Sequence, residues 1–541
     1  MRKCSLILCL LLCGNLLAEA AERIFVSTDR DVYISGDYIW CSLFDIDTSS
    51  GALSQMSAVA YVELVSADGG GASAKIALHD GRGSGRFKIP ESLPTGNYKI
   101  LAYTAGEESQ ALFGAKTVSV FNTFTTARVP GGVDLVQEKD YKAGETRHDA
   151  SGTLELSISG NARTGKAFTL NVNNPGASTT GISLSVYRED GIIAPNNNSI
   201  SAFMENIGPK RPISGHSGTN KEYEGLVINA KIMGPKTGIS SLSSAGSPSD
   251  VYISRADADG NLQFYTNNIY GDRELVCETG SPDSYIVLED PFTHPSAGEI
   301  EKLRLCPSQR SSLINRKAAL AQSVVPDTLL TFLPRRQDHL LEGKNATRYH
   351  LDDYVRFHSL QEICVEIVLE LELRKSHKRE TLMLVSKDPA SGQFNIKDNI
   401  LIMLDGVVLT DIAPLKKMDA LLLEDVYVYQ DPIALGGLSY NGAVNFVSKQ
   451  NYVKAVSFPS NVRVLDFKGV CYPIAYTGAT PSSTEDFRQL LYWHPAQEIK
   501  GGETLRLQLT APSIPGRYIV RAVGLDSGGR PVGTEQSFEV Q

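Results

Sequence analysis

The densest group of potential ligands in the sequence is His350, Asp352, Asp353 and His358. Imidazole and carboxylate at this spacing suit zinc or a similar divalent ion. However, Asp352 and Asp353 lie just upstream of a helix start marked by Ser359, where acidic groups complement the positive end of the helix dipole or simply face water. A solvated acidic turn is therefore the stronger reading of this stretch. Asp257, Asp259 and Asn261 carry the alternating acids of a calcium loop, but the bidentate Glu that closes such a loop is absent, and a β-turn is expected instead. Gly81-Arg82-Gly83-Ser84-Gly85 has the glycines of a phosphate cradle. An extended Phe87-Lys88-Ile89 follows where a helix N-terminus would have to hold the phosphate, so a hairpin turn is expected. His216-Ser217 has no acid placed to orient the histidine. The sequence contains no His-Glu-x-x-His, no Gly-x-Ser-x-Gly and no nucleotide loop entering a helix. No catalytic, cofactor-binding or metal residue is assigned, and no cofactor is expected.

The elements around these residues are mostly strands. Arg2 and Lys3 precede an apolar run from Leu6 to Leu17, and Ala18-Glu19-Ala20 supplies the small residues of a cleavage site, so residues 1–20 read as an export signal and the mature chain starts near Ala21. The run is shorter than the ~20 residues of a spanning helix, and no transmembrane segment is expected in the mature chain. Leu12 before Cys13 disfavours a lipobox. With 541 residues, several domains are expected. The 52 Lys and Arg against 61 Asp and Glu give a net charge of −9 with no basic stripe, which makes nucleic acid an unsuitable partner. Five cysteines remain after the export signal, Cys41, Cys277, Cys306, Cys364 and Cys471. None forms a Cys-x-x-Cys pair, and most neighbours are apolar or aromatic, so buried free thiols are expected; export permits a disulfide, but no pairing follows from the sequence.

From Ile24 to Val120 short strands alternate with Gly, Asp and Ser. Pro94-Thr95-Gly96 turns into a strand from Asn97 to Tyr103, and Ile514-Pro515-Gly516-Arg517-Tyr518 repeats the device more than 400 residues later. The two ends are thus expected to carry related sandwiches. A second sandwich is expected from the alternation of Leu154, Leu156 and Ile158 with Phe168, Leu170 and Val172. Residues 196–220 read as an exposed loop. A further β unit spans Gly225 to Phe264. Ser311 to Val325 reads as a connecting helix stopped by Pro326. Ser359 and Glu362 form a capping box for a helix with Leu360, Ile363, Cys364 and Ile367 on one face, which hands over to a strand near Leu369. A strand (Ile400 to Leu404), a helix (Leu415 to Leu422), a strand (Val426 to Tyr429), a turn at Gly436-Gly437 and a last strand (Ala443 to Val447) complete a small α+β unit. Trp40, Trp493 and most tyrosines are expected to fill sandwich cores.

Thr28 to Trp40 (Thr-Asp-Arg-Asp-Val-Tyr-Ile-Ser-Gly-Asp-Tyr-Ile-Trp), with Gly85 to Pro90 and the Pro94 to Tyr103 turn and strand, resembles a macroglobulin-like domain. Asp257 to Phe264 is similar to the turn of a carboxypeptidase-regulatory-like β domain, a non-catalytic sandwich. Leu401-Ile402-Met403-Leu404-Asp405-Gly406-Val407, with Asp411, Leu415, Asp419, Val426 to Tyr429 and Gly442 to Val447, resembles the plug domain of TonB-dependent outer-membrane receptors. Together with Leu351 to Tyr354 and Leu491-Tyr492-Trp493, the order resembles exported bacterial proteins that combine macroglobulin-like and plug-like domains, over most of the mature chain. That family implies architecture and no established activity. No Gly-Cys-Gly-Glu-Gln segment is present, so covalent protease trapping is not expected. The 93 residues after Ser448 (541 minus 448) are fewer than the more than 200 that a barrel of ~22 strands needs, so the chain is not expected to be a pore itself.

The expected fold is mainly β, with serial macroglobulin-like or Ig-like sandwiches and one small α+β plug-like domain. Its divisions are an export signal at 1–20, a macroglobulin-like sandwich at 21–125, a second sandwich with a long loop at 150–215, a carboxypeptidase-regulatory-like domain at 222–295, a linker with a helix at 296–344, the plug-like domain at 345–455 and a C-terminal sandwich at 456–541. The expected function is a non-enzymatic interaction or scaffold protein of the bacterial envelope, periplasmic or associated with the outer membrane, whose partner is an envelope or outer-membrane protein. The alternatives are an accessory ligand-binding or docking partner of a TonB-dependent receptor, and a secreted hydrolase or protease inhibitor.

Overall fold

The computed structural model describes residues 22–67, 69–105, 113–138, 154–160, 162–189, 192, 199–207, 222–236, 238–245, 250–310, 312–314, 316–317, 325, 327–335, 341, 343–376, 379–387, 392–449, 458–478, 480 and 486–541. The expected export signal at 1–20 and the pair His216-Ser217 lie outside them.

The first sandwich runs from Glu22–Thr28 to Gly114–Phe121. Its strands follow the order Glu22–Thr28, Tyr38–Asp47, Arg82–Lys88, Gly69–His79, Val59–Ser66, Gly96–Thr104, Gly114–Phe121 and Val32–Ile34. Alternate residues such as Ile24, Leu43, Val62, Ile76 and Ile100 point into one core, and each large aliphatic side chain buried there contributes roughly 1.5–3 kcal/mol. Asp80 and Gly81, both at positive φ, form the two-residue hairpin turn between Gly69–His79 and Arg82–Lys88. The expected hairpin is present, but of the glycine-rich stretch only Gly81 lies in the turn, while Arg82 to Gly85 form the start of the following strand. Tyr98 Oη donates to Pro94 O at 2.7 Å, and in the repeated device Tyr518 Oη donates to Ile514 O at 2.9 Å. Each tyrosine thereby ties its strand to the turn four residues upstream, the device known as a tyrosine corner.

The expectation of separate sandwiches at 150–215 and 456–541 is corrected by the strand pairing. Thr180–Arg188 lies between Leu490–Ile499 and Gly516–Asp526, and Pro531–Val540 completes that sheet. The facing sheet sets Glu155–Ser159 and Ala167–Asn173 beside Thr504–Thr510. One sandwich is thus assembled from two distant pieces of chain, around a core that joins Leu170 and Leu184 to Leu491 and Val520. Alternation identifies the strands of both pieces, but it carries no information about partners so far apart in sequence.

The intervening chain holds a second split sandwich. Val227–Met233 pairs with Asn261–Tyr265 and Tyr285–Leu288. In the facing sheet Asp272–Glu278 pairs with Ile239–Ser244 and, on its other side, with Val462–Lys468. The α/β unit is inserted between Tyr285–Leu288 and Val462–Lys468, so the architecture is nested: a module within a sandwich within a sandwich. The module has a sheet in the order Thr347–His350, Leu423–Tyr429, Ala443–Ser448, Leu401–Leu404 and Val407–Val408, and a second sheet of Leu371–Ser376, Arg379–Lys387 and Phe394–Lys397. Ser359 and Glu362 make the expected capping box, but the helix of Leu360–Glu362 loosens at once into a π turn over Ile363–Ile367. The expected helix at 415–422 divides into Ala413–Lys417 and a 3₁₀ turn at Ala420–Leu422. Of the connecting helix at 311–325, residues 312–314 and 316–317 are helical.

Candidate interaction surface

The residues that could ligate a metal are spent on separate partners. His350 Nδ1 lies 2.9 Å from Asp425, which Arg348 also holds through two hydrogen bonds of 3.0 Å. Asp352 accepts from Arg356 at 2.9 Å and from Lys449 at 3.1 Å. Lys449 contributes most to holding the Asp352 carboxyl below its ordinary range. Asp353 is exposed, and His358 faces Asp419 at 3.2 Å. Among the described residues no three His, Cys, Asp or Glu side chains converge in one place, so His350, Asp352, Asp353 and His358 do not form a common ligand set. Asp257 Oδ1 accepts from the backbone of Asp259 and Asn261 at 2.9 and 2.8 Å, and Gly260 takes a positive φ, so this stretch is a turn closed on itself.

Cys41, Cys277, Cys306 and Cys364 are buried free thiols and Cys471 is partly buried. Burial pushes Cys277 and Cys364 up to about 12 and Cys471 up to about 11, which keeps all three in the unreactive thiol form.

Trp40 and Trp493 do not fill separate cores. They meet edge to face, 5.2 Å between centroids, where the first sandwich abuts the split one. A cleft beside them is lined by Arg30, Asp37, Tyr38, Arg86, Val325 and Leu490. Arg86 stacks on Tyr38 at 4.4 Å and pairs with Asp327, while Arg30 pairs with Asp29 and Asp37. Each guanidinium group thus has a carboxylate partner from the chain itself, and the cleft lies where the two sandwiches meet.

The α/β module presents a different surface. Phe394–Lys397 pairs with Arg379–Lys387 on one side, and among the described residues nothing pairs with its other edge. Phe394 is 71% and Ile396 45% exposed, on one face of this edge strand. Proteins normally blunt such edges with lysine or proline. The one lysine, Lys397, turns away to donate to Gln430 O at 2.7 Å. Val355, Val365 and Leu369 add exposed apolar side chains on the same module. The alternation Phe394-Asn395-Ile396-Lys397 is a strand signal in the sequence, but the open edge it forms is a property of the assembled sheet.

No helix among the described residues is long and apolar enough to cross a membrane. No family model matches the chain, and no curated protein matches it. Solved structures similar to it include the native conformation of Escherichia coli alpha-2-macroglobulin, at 9% identity over 97% of this chain and 40% of that one, TM-score 0.25. Salmonella alpha-2-macroglobulin reacted with methylamine matches at 8% identity over 96% of this chain and 23% of that one, TM-score 0.16. A tetra-tandem repeat from the extending region of a large adhesion protein matches at 10% identity over 96% and 99%, TM-score 0.13. The chain spans well under half the length of either macroglobulin. The mainly β fold of several sandwiches rests on the strand pairing described above.

Proposed function

We propose that this chain is a non-enzymatic scaffold of the bacterial cell envelope whose inserted α/β module docks an outer-membrane partner, in the manner of an accessory subunit to a TonB-dependent receptor. The observation that carries the proposal is the strand Phe394–Lys397, whose outer edge is unpaired among the described residues, with its exposed Phe394 and Ile396. An unpaired edge offers backbone donors and acceptors to an incoming strand, and alternate side chains supply its specificity. The nested sandwiches hold the module on buried joints, which suits a stiff support. The reading of residues 1–20 as an export signal and the resemblance of the Leu401 to Val447 motifs to a plug domain support placement at the envelope. The test is affinity purification of the tagged chain from crosslinked native cells, beside a Phe394→Ser, Ile396→Ser double variant. Recovery of one outer-membrane protein by the wild type and its loss in the folded variant is expected. Equal recovery by both proteins, or no specific partner for the wild type, would overturn the proposal.

A further inference from the structure

At one end of the first sandwich two carboxylates are buried together. Glu22 opens the strand Glu22–Thr28, and Asp45 lies near the end of Tyr38–Asp47, opposite Ile24 in the register. Residues paired across a ladder share a face, so Glu22 and Asp45 both cap the core lined by Ile24 and Leu43. Asp45 is 0% exposed and Glu22 8%.

Their surroundings are unequal. Glu22 accepts from Ser54 Oγ, from Ser57 Oγ and from Ser57 N at 3.0 Å. No hydroxyl or amide side chain among the described residues donates to the Asp45 carboxylate oxygens; the polar groups beside them are the Glu22 carboxyl and the Ile46 backbone N–H. Such a group costs several kcal/mol unless a proton or a cation compensates it. Burial, next the adjacent Glu22 charge and a hydrogen bond to Glu22, push Asp45 up to about 9 against the opposing Ile46 backbone hydrogen bond, so without a cation this carboxyl holds a proton. The frame is stiff as well. Asp45 N donates to Gly81 O and Ser54 N to Asp45 O, both at 2.8 Å, and a Cβ on Gly81 would sit 2.6 Å from Ser54 O. The loop cannot relax to solvate Asp45 without opening the hairpin turn.

We infer that Glu22 and Asp45, with the hydroxyls of Ser54 and Ser57, form a binding site for a divalent hard cation of the calcium class. Two carboxylates balance the charge of one such ion. All the donors are oxygen, and four carboxylate oxygens with two hydroxyls reach the six to eight ligands that calcium takes, without the strict octahedron that magnesium demands. Glu22, the less buried partner, marks the side from which the ion enters.

The experiment is thermal unfolding of the full chain after chelation, with and without about 5 mM calcium chloride, above the ~0.1–1 mM range in which extracellular calcium modules saturate. The expected result is a rise in Tm with calcium that is lost in Asp45→Asn, while Asp257→Asn, which alters the exposed turn, keeps it. In chelator Asp45→Asn is expected to melt close to the wild type, because burial and Glu22 already hold the Asp45 carboxyl in its neutral, protonated form there. Should Asp45→Asn fail to fold, Glu22→Gln serves as the second variant and must likewise lose the response. A wild type that calcium leaves unchanged, or a calcium response that both site variants retain, would overturn the assignment.

Discussion

Arg521 and Asp31, 490 residues apart in sequence, form a two-pronged ion pair with bonds of 3.0 and 2.6 Å. The same guanidinium donates through Nε to Glu535 at 3.0 Å and lies over the Tyr187 ring at 5.2 Å. Lys116 reaches Asp31 from the other side at 2.8 Å. The first sandwich is thereby clamped to the split one by charges that are largely withdrawn from water.

Removing one member of such a pair strands the other. Arg521→Ala is expected to destabilise the protein by about 3 kcal/mol, the low end for a buried pair, because Lys116 still faces Asp31. Chemical denaturation measures the loss, and a double-mutant cycle with Asp31→Asn should give clearly non-additive values. Burial raises the Asp31 carboxyl, but Arg521 and Lys116 outweigh it and hold it well below its ordinary 3.8. The stability this group adds is complete above about pH 4 and disappears as the pH falls toward its depressed value.

The joint between the inner sandwich and the module responds in the opposite sense. Glu278, 5% exposed, accepts from Thr410 Oγ1 and from Thr410 N at 3.3 Å. Burial lifts it from 4.5 to about 7, Thr410 opposes the shift and the Asp411 charge adds to it. A raised folded-state value means that the folded form binds the extra proton, so stability from this group is full below about pH 4.5 and declines through pH 7. The whole effect is roughly 3 kcal/mol. Glu278→Gln should flatten that part of the stability profile between pH 5 and 7, as read by urea midpoints across the range.

The paired tyrosine corners allow a smaller test. Tyr98→Phe and Tyr518→Phe each remove one hydrogen bond to a turn carbonyl, and each should cost about 1 kcal/mol. Because the two tyrosines sit in different sandwiches, their effects should add in the double variant when midpoints are compared.

How much of this was legible in the sequence differs from residue to residue. The Pro-Gly-Tyr device at 94–98 and 514–518 and the Ser359 capping box are local, since their partners lie within four residues, and the sequence shows them; the hairpin near Gly81 is legible too, although its turn falls at Asp80-Gly81, at the edge of the glycine-rich stretch. The fusion of Thr180–Arg188 with Leu490–Ile499 and Gly516–Asp526 was not legible, because period-two alternation marks a strand and says nothing about its neighbour. Trp40 and Trp493 looked like two core residues for the same reason. Asp45 sits in an apolar run that reads simply as a strand, and only the register with Glu22–Thr28 brings a second carboxylate to it. The open edge at Phe394–Lys397 depends on what the finished sheet leaves unpaired.

The central claim is that the module docks through this edge, and the most direct measurement is photo-crosslinking in native cells from a reactive side chain placed at Ile396, compared with one at Val464, which is 48% exposed on the inner sandwich. One dominant crosslinked outer-membrane protein from position 396, absent from position 464, is the predicted result. The same adducts from both positions, or none from 396 while the folded protein is present, would contradict it.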